Sequence, residues 1–201
     1  MQISASTVKE LRVKTGVGMM ECKKALVEAG GDVGEAEKIL RKRGLAVAAK
    51  KAGRATGEGA VASYIHTGGK IGVLIEVNCE TDFAARSGDF QDLVRAVAMH
   101  IAAAAPRFLR REDVTESDLA DEREIARDQA IRAGKPEKIV ERIVEGKMEK
   151  YYSENVLLEQ PFVKDPDHTV GQYIAEAVAR VGENIQVRRF CRYVLGENGS
   201  E

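Results

Sequence analysis

Tryptophan is absent from this chain, and Phe, Tyr and Trp together make up only 5% of its 201 residues. Stacking on nucleic-acid bases needs aromatic faces, so a base-stacking platform is not expected. Cysteine is scarce as well. Cys22, Cys79 and Cys191 are an odd number at wide spacing, which is no secreted disulfide framework. Neither CxxC nor HxxxH occurs, so no zinc knuckle is written here, and the three thiols read as small apolar core residues in a reducing cytosol. No run approaches the ~20 apolar residues of a membrane span. The opening Met1-Gln2-Ile3-Ser4 has neither the basic region nor the apolar run of a signal peptide, so a cytoplasmic location is expected. An excess of one charge is missing too: 31 Lys and Arg stand against 32 Asp and Glu, a formal −1. No global field therefore draws the chain to nucleic acid or to an anionic membrane.

Catalytic signatures are missing with the same consistency. There is no GxxxxGK phosphate loop and no GxSxG elbow. The glycines at 53, 57 and 59 lack GxGxxG spacing and precede a strand instead of opening a helix. His66, His100 and His168 are scattered, one at a strand end, one on a helix and one in a proline-bracketed loop. Carboxylates sit mostly in helical charge patterns that suit exposed faces. The expectation is a binding protein and not an enzyme, with no cofactor and no resident metal.

Helix formers are plentiful. Residues 4 to 44 read as three short helices: Val8 and Leu11 on the first, capped by Ser4 or Ser6; Met19 to Ala29 as the second, with Cys22, Ala25, Leu26 and Ala29 at helical spacing. Gly30-Gly31 ends the second. Asp32 to Glu35 looks like a capping box, and the third helix carries Ala36, Ile39 and Leu40 inward before stopping at Gly44. Of the adjacent Met19 and Met20, only one can point squarely inward, and methionine suits an adaptable contact surface. Arg41, Lys42, Arg43, Lys50, Lys51 and Arg54 then follow without an intervening acid, either as a phosphate-binding patch or as a solvated connector.

Gly59 to His66 and Lys70 to Asn78, joined by Thr67-Gly68-Gly69, have the period of two of a hairpin. A helix stripe follows from Phe90 to Ile101, ending near Pro106. A second helix runs from Thr115 to Gly134, and a third begins with Pro136 in its first turn. Pro161 and Pro166 bracket a loop. Thr169 to Arg180 is helical, and Asn184 to Leu195 is a strand that must pair with the hairpin. The fold class is α+β: an N-terminal three-helix domain over residues 1–45, a basic linker over 46–57, and a core over 58–201 in which a small antiparallel sheet packs with helices and a helical hairpin.

One stretch does not fit an ordinary turn. Glu80-Thr81-Asp82-Phe83-Ala84 joins strand to helix and places an aromatic ring where small polar residues are usual. Either Phe83 folds back as a staple that seals the helix end, or it is presented to a partner.

Five motifs carry a resemblance. Leu11-Arg12-Val13-Lys14-Thr15-Gly16-Val17-Gly18-Met19-Met20-Glu21-Cys22-Lys23-Lys24-Ala25-Leu26 resembles the N-terminal signature of the translation elongation factor Ts family. So do Leu40-Arg41-Lys42-Arg43-Gly44-Leu45, Glu76-Val77-Asn78-Cys79-Glu80-Thr81-Asp82-Phe83, Gly134-Lys135-Pro136-Glu137-Lys138-Ile139-Val140 and Leu158-Glu159-Gln160-Pro161-Phe162-Val163, in that order along nearly the whole chain. The resemblance implies a guanine-nucleotide exchange factor that binds elongation factor Tu, GDP-bound and nucleotide-free. It implies that the N-terminal helices are a ubiquitin-associated-like domain contacting the partner's G domain through Arg12, Met19 and Met20. It implies that Thr81, Asp82, Phe83 and Ala84 displace the partner's magnesium; many members carry Val where Ala84 stands. Short members of this kind pair as homodimers to supply a second core subdomain. Two rivals remain: an RNA or ribosome adaptor using the basic run from Arg41 to Arg54, and an adaptor for a ubiquitin-like partner using the N-terminal bundle.

Overall fold

A computed structural model of the chain describes residues 3–197, so Met1 and Gln2, on which part of the signal-peptide reading rests, and residues 198–201 lie outside the described residues. The helices and strands begin with α1 (Ala5–Thr15), α2 (Met19–Glu28), α3 (Val33–Lys51), β1 (Glu58–Ile65), β2 (Ile71–Cys79), α4 (Asp82–Ala85) and α5 (Gly88–Ala104). They continue with α6 (Glu116–Arg132), α7 (Glu137–Asn155), β3 (Pro161–Phe162), β4 (Asp165–Thr169), α8 (Val170–Val181) and β5 (Ile185–Val194). The expected α+β class is what the structure has: an N-terminal helical region and a small antiparallel sheet in the order β1-β2-β5, so the late strand does pair with the hairpin. The chain divides into two compact units. One comprises the chain up to Ala62 with Ile75–Ala96 and Gln172–Arg188; the other comprises Ser63–Leu74, Val97–Gly171 and the chain from Arg189 onward.

In the first unit the N-terminal helices close on Leu11, Cys22, Ala25, Leu26 and Ala36, all fully buried. Ser4 caps α1, its hydroxyl accepting the Thr7 N–H at 3.1 Å, and Gly16 ends it with φ +67°, a conformation that favours glycine. Asp32 caps α3 by accepting the Glu35 N–H at 2.7 Å. The reciprocal half of the expected capping box is replaced, because the Glu35 carboxylate pairs with Lys38 at 3.2 Å. α3 does not stop at Gly44 but runs on to Lys51. Gly44 is a packing glycine: a Cβ there would lie 3.6 Å from the Ala179 Cβ, while the alanines and lysines beyond it are good helix formers.

In the second unit α6 and α7 share a core of their own, including Leu119, Ala126, Ala130, Val140, Val144 and Met148. Thr115 and Asp118 form a full capping box at the start of α6. Pro136 is the residue just before α7 and not in its first turn. The Arg111 guanidinium forks between Glu149 at 2.9 Å and Glu159 at 2.5 Å, and lies 4.0 Å over the Tyr152 ring. The segment between Pro161 and Pro166 is not a plain loop; Pro161–Phe162 pairs antiparallel with Asp165–Thr169 as β3 and β4.

His100 is fully buried beneath that pair of strands. The Gln160 amide nitrogen donates to the carbonyls of Ala104 at 3.3 Å and Glu154 at 2.7 Å, which commits its oxygen to accept from His100 Nε2 at 2.9 Å. His100 Nδ1 accepts the Val163 N–H at 3.2 Å. The imidazole is thus the neutral Nε2–H tautomer, and a second proton would face an N–H donor. Burial pushes the imidazole below its usual range, with the Gln160 hydrogen bond opposing it.

A folded pKa depressed in this way means the unfolded chain takes up more protons as the pH falls below about 6.5, so this contribution to stability is full above that pH and lost on acidification. Chemical denaturation should therefore show the unfolding free energy declining from about pH 7 to about pH 5.5, with a smaller decline in His100→Gln. An identical slope in the variant would place the titration elsewhere.

Candidate functional site

β2 delivers the chain to the turn at Thr81 on a stiff base. Its alternation buries Val73, Ile75, Val77 and Cys79 on one face. The Cys79 thiol donates to the Thr81 carbonyl at 3.1 Å; burial, followed by the charge of Glu183, pushes that thiol up, which disfavours the thiolate. Thr81 is extended and caps the one-turn helix α4, its Oγ1 accepting the Ala84 N–H at 3.2 Å. The far end of the turn is tied down too. Ser87 Oγ donates to the Ala84 carbonyl at 2.7 Å, and Gln91 Nε2 donates to the Ala85 carbonyl at 2.7 Å.

The four residues expected to act together are consecutive on this turn but do not face the same way. Phe83 is 82% exposed, the most exposed large apolar side chain among the described residues, so the staple reading does not hold. Asp82 is exposed and pairs with Arg86 at 2.9 Å, one turn along, an ion pair of small energetic weight at a surface. Ala84 is 3% exposed and packs inward. In the chain as it stands Ala84 anchors the turn and Phe83 is what the turn presents.

Side chains that sequence reasoning missed hold the turn from below. Glu183, in the joint between α8 and β5, accepts the Thr81 N–H at 2.9 Å and the Thr81 hydroxyl at 2.7 Å. Beside it Glu80 accepts the Asn184 N–H at 2.6 Å and pairs with Arg54 at 3.4 Å. The Asn184 N–H, and after it Arg54, hold the Glu80 carboxyl below the usual range. The Asn184 side chain donates to the carbonyls of Ala52 at 3.3 Å and Arg54 at 2.9 Å. Glu183 and Asn184 stand about a hundred positions along the chain from the turn, and no spacing signal could have joined them to it.

The second candidate segment lies in the N-terminal helices of the same unit. Thr15 Oγ1 donates to the Leu11 carbonyl at 2.7 Å, and Cys22 Sγ donates to the Val17 carbonyl at 3.4 Å, which shapes the 15–18 loop. Arg12 is exposed. Met19 and Met20 are 39% and 66% exposed, so both, and not one, face outward. The reason is that α2 turns Cys22, Ala25 and Leu26 to its core, and its first turn overhangs that stripe. Of the three cysteines expected in the core, Cys22 and Cys79 are buried there, whereas Cys191 is half-buried on β5. Among the described residues no group of three His, Cys, Asp or Glu could hold a metal ion, and no helix is long and apolar enough to cross a membrane.

The model of the family described as Elongation factor TS matches residues 2–197. Among similar curated proteins, the Elongation factor Ts of Desulforamulus reducens is 60% identical over 196 residues, covering 98% of this chain and 90% of the relative. The Elongation factor Ts of Anaeromyxobacter sp. (strain K) is 62% identical over 196 residues with the same coverage. That of Moorella thermoacetica is 60% identical over 195 residues, covering 97% of this chain and 96% of the relative.

Because the Phe83 ring stands in water, Phe83→Ala should leave thermal stability within about 0.5 kcal/mol of the parent chain. A loss of several kcal/mol in the same melting experiment would restore the staple.

Proposed function

The chain belongs to the elongation factor Ts family, and on that footing we propose that it is a guanine-nucleotide exchange factor for elongation factor Tu in translation elongation. It acts in the cytoplasm, without covalent chemistry, cofactor or resident metal. The observation that carries this reading is the exposed Phe83 ring on a turn whose other groups are hydrogen-bonded or buried. Residues 1–45 dock on the partner's G domain as a ubiquitin-associated-like domain through Arg12, Met19 and Met20. Residues 46–57 connect, and residues 58–201 form a dimerisation-type core whose second copy comes from another subunit.

A GTPase holds its nucleotide through backbone N–H groups and through Mg²⁺ bridging phosphate oxygens. Magnesium demands near-ideal octahedral oxygen geometry, so a wedge need not touch the ion to dislodge it. Phe83 enters between the coordinating segments, Asp82 bonds to the partner or fixes the loop, and Thr81 and Ala84 hold the ring's base.

Linkage sets the scale. A factor that prefers the nucleotide-free partner by some ratio weakens nucleotide binding by the same ratio. A 10⁴-fold weakening requires about 5.5 kcal/mol of differential binding, whereas burying one phenylalanine ring yields roughly 1.5–3 kcal/mol. The N-terminal contact and the rest of the core must supply the remainder.

The RNA-adaptor reading draws less support. The basic run is partly spent inside the protein: Arg43 pairs with Glu21 at 3.4 Å and Glu28 at 2.5 Å, Arg54 pairs with Glu80, and Lys51 donates to the Gly182 carbonyl. An adaptor of that kind would bind with steep salt dependence and be indifferent to Phe83.

Release of labelled GDP from elongation factor Tu separates the readings. The chain should accelerate release, and Phe83→Ala should lower the maximal rate by about ten- to a hundredfold, the kinetic equivalent of the ring's burial. No acceleration by the parent chain would remove the exchange reading, and full acceleration by the variant would remove the wedge.

A further inference from the structure

We propose that Glu183 is the positioning residue for Phe83: its carboxylate clamps Thr81 at the base of the turn and so aims the ring, a role that rests on the exchange reading above. Both carboxylate oxygens are spent on one residue, Oε2 on the Thr81 N–H at 2.9 Å and Oε1 on the Thr81 hydroxyl at 2.7 Å. Such a two-point grip fixes the rotation of Thr81 as well as its place.

The grip reaches Phe83 through a defined relay. Because the Thr81 hydroxyl proton points to Glu183, a lone pair on the same oxygen is left to accept the Ala84 N–H at 3.2 Å. That bond caps the single turn holding Asp82 and Phe83. Without Glu183 the hydroxyl is free to rotate and the Thr81 N–H loses its acceptor. A one-turn helix has little cooperative stability with which to resist that loss.

The joint that carries Glu183 does not depend on it. Asn184, next along the chain, is tied to Glu80 at 2.6 Å and to the carbonyls of Ala52 and Arg54. Removing the Glu183 carboxylate therefore loosens the turn while its neighbours stay in place. Glu183 is half-buried and directs its acceptors to the turn, not to the partner. It acts through Phe83 and belongs to aiming and not to contact.

The test combines GDP release, titrated with exchange factor, and amide hydrogen exchange on the free protein. Glu183→Ala should lower the maximal release rate about tenfold, the order that a small misplacement of a positioned group costs, with a smaller change in the half-saturating concentration. Glu183→Gln keeps one oxygen for the Thr81 N–H but not both acceptors, and should fall between the two. The double variant Glu183→Ala with Phe83→Ala should be no slower than Phe83→Ala alone. In the free protein the Thr81 and Ala84 amides of Glu183→Ala should exchange faster while the α6 and α7 amides keep their protection. A Glu183→Ala protein with the parent's release rate beside a slow Phe83→Ala would overturn the clamp and leave the exchange reading standing. A double variant slower than Phe83→Ala by the full Glu183→Ala factor would also overturn it, since Glu183 would then act independently of the ring. If Phe83→Ala itself releases GDP like the parent, the wedge fails and the clamp falls with it.

Discussion

An aromatic ring kept in water is the unfavourable feature around which the site is built. Leaving phenylalanine out of the core forgoes roughly 1.5–3 kcal/mol of burial, and the chain has few aromatics to spare. The groups around it, the exposed Asp82 apart, make that exposure durable. Ala84 and Ala85 of the same turn are buried, the carbonyls of the turn accept from Ser87 and Gln91, and Thr81 is held by Glu183. A ring on a loose loop would lose its affinity to ordering costs on binding; a ring on a pinned turn has met those costs during folding.

The last turn of α8 and the joint after it bear on both candidate contact segments. Ala179 lies against Gly44, and the Arg180 methylenes lie where a Cβ on Gly16 would have to go. Gly182 accepts from Lys51, and Glu183 and Asn184 hold Thr81 and Glu80. One short stretch thus supports the loop before Met19 and the turn that bears Phe83. This suits a factor whose differential binding exceeds what one side chain can supply, because separate contacts then add on a common frame.

Much of the fold was legible in the sequence because it rests on local periodicity. The alternation in β2, the stripe of α5 and the glycine turn at Gly68-Gly69 are short-range signals, and each appears where the residues placed it. The end of α3 was misplaced because glycine has two uses, ending a helix or admitting a neighbour, and the neighbour of Gly44 is Ala179. The β3–β4 pair was missed because two prolines in nine residues mask a strand of two. In the site, the odd placement of Phe83 was readable because it breaks the rule for turns. The grip on it was not, since Glu183 meets Thr81 only after the chain has folded back across a hundred residues, and one acid among 32 Asp and Glu carries no mark.

Exchange by a wedge requires the ring of Phe83 to leave water for the partner's nucleotide site. The direct measurement is ¹⁹F NMR with 4-fluorophenylalanine placed at position 83, recorded free and in complex with nucleotide-free elongation factor Tu. A wedging ring should give a solvent-exposed signal in the free protein that moves to a buried environment in the complex and returns when GDP and magnesium are restored. A signal that stays solvent-exposed throughout would contradict it.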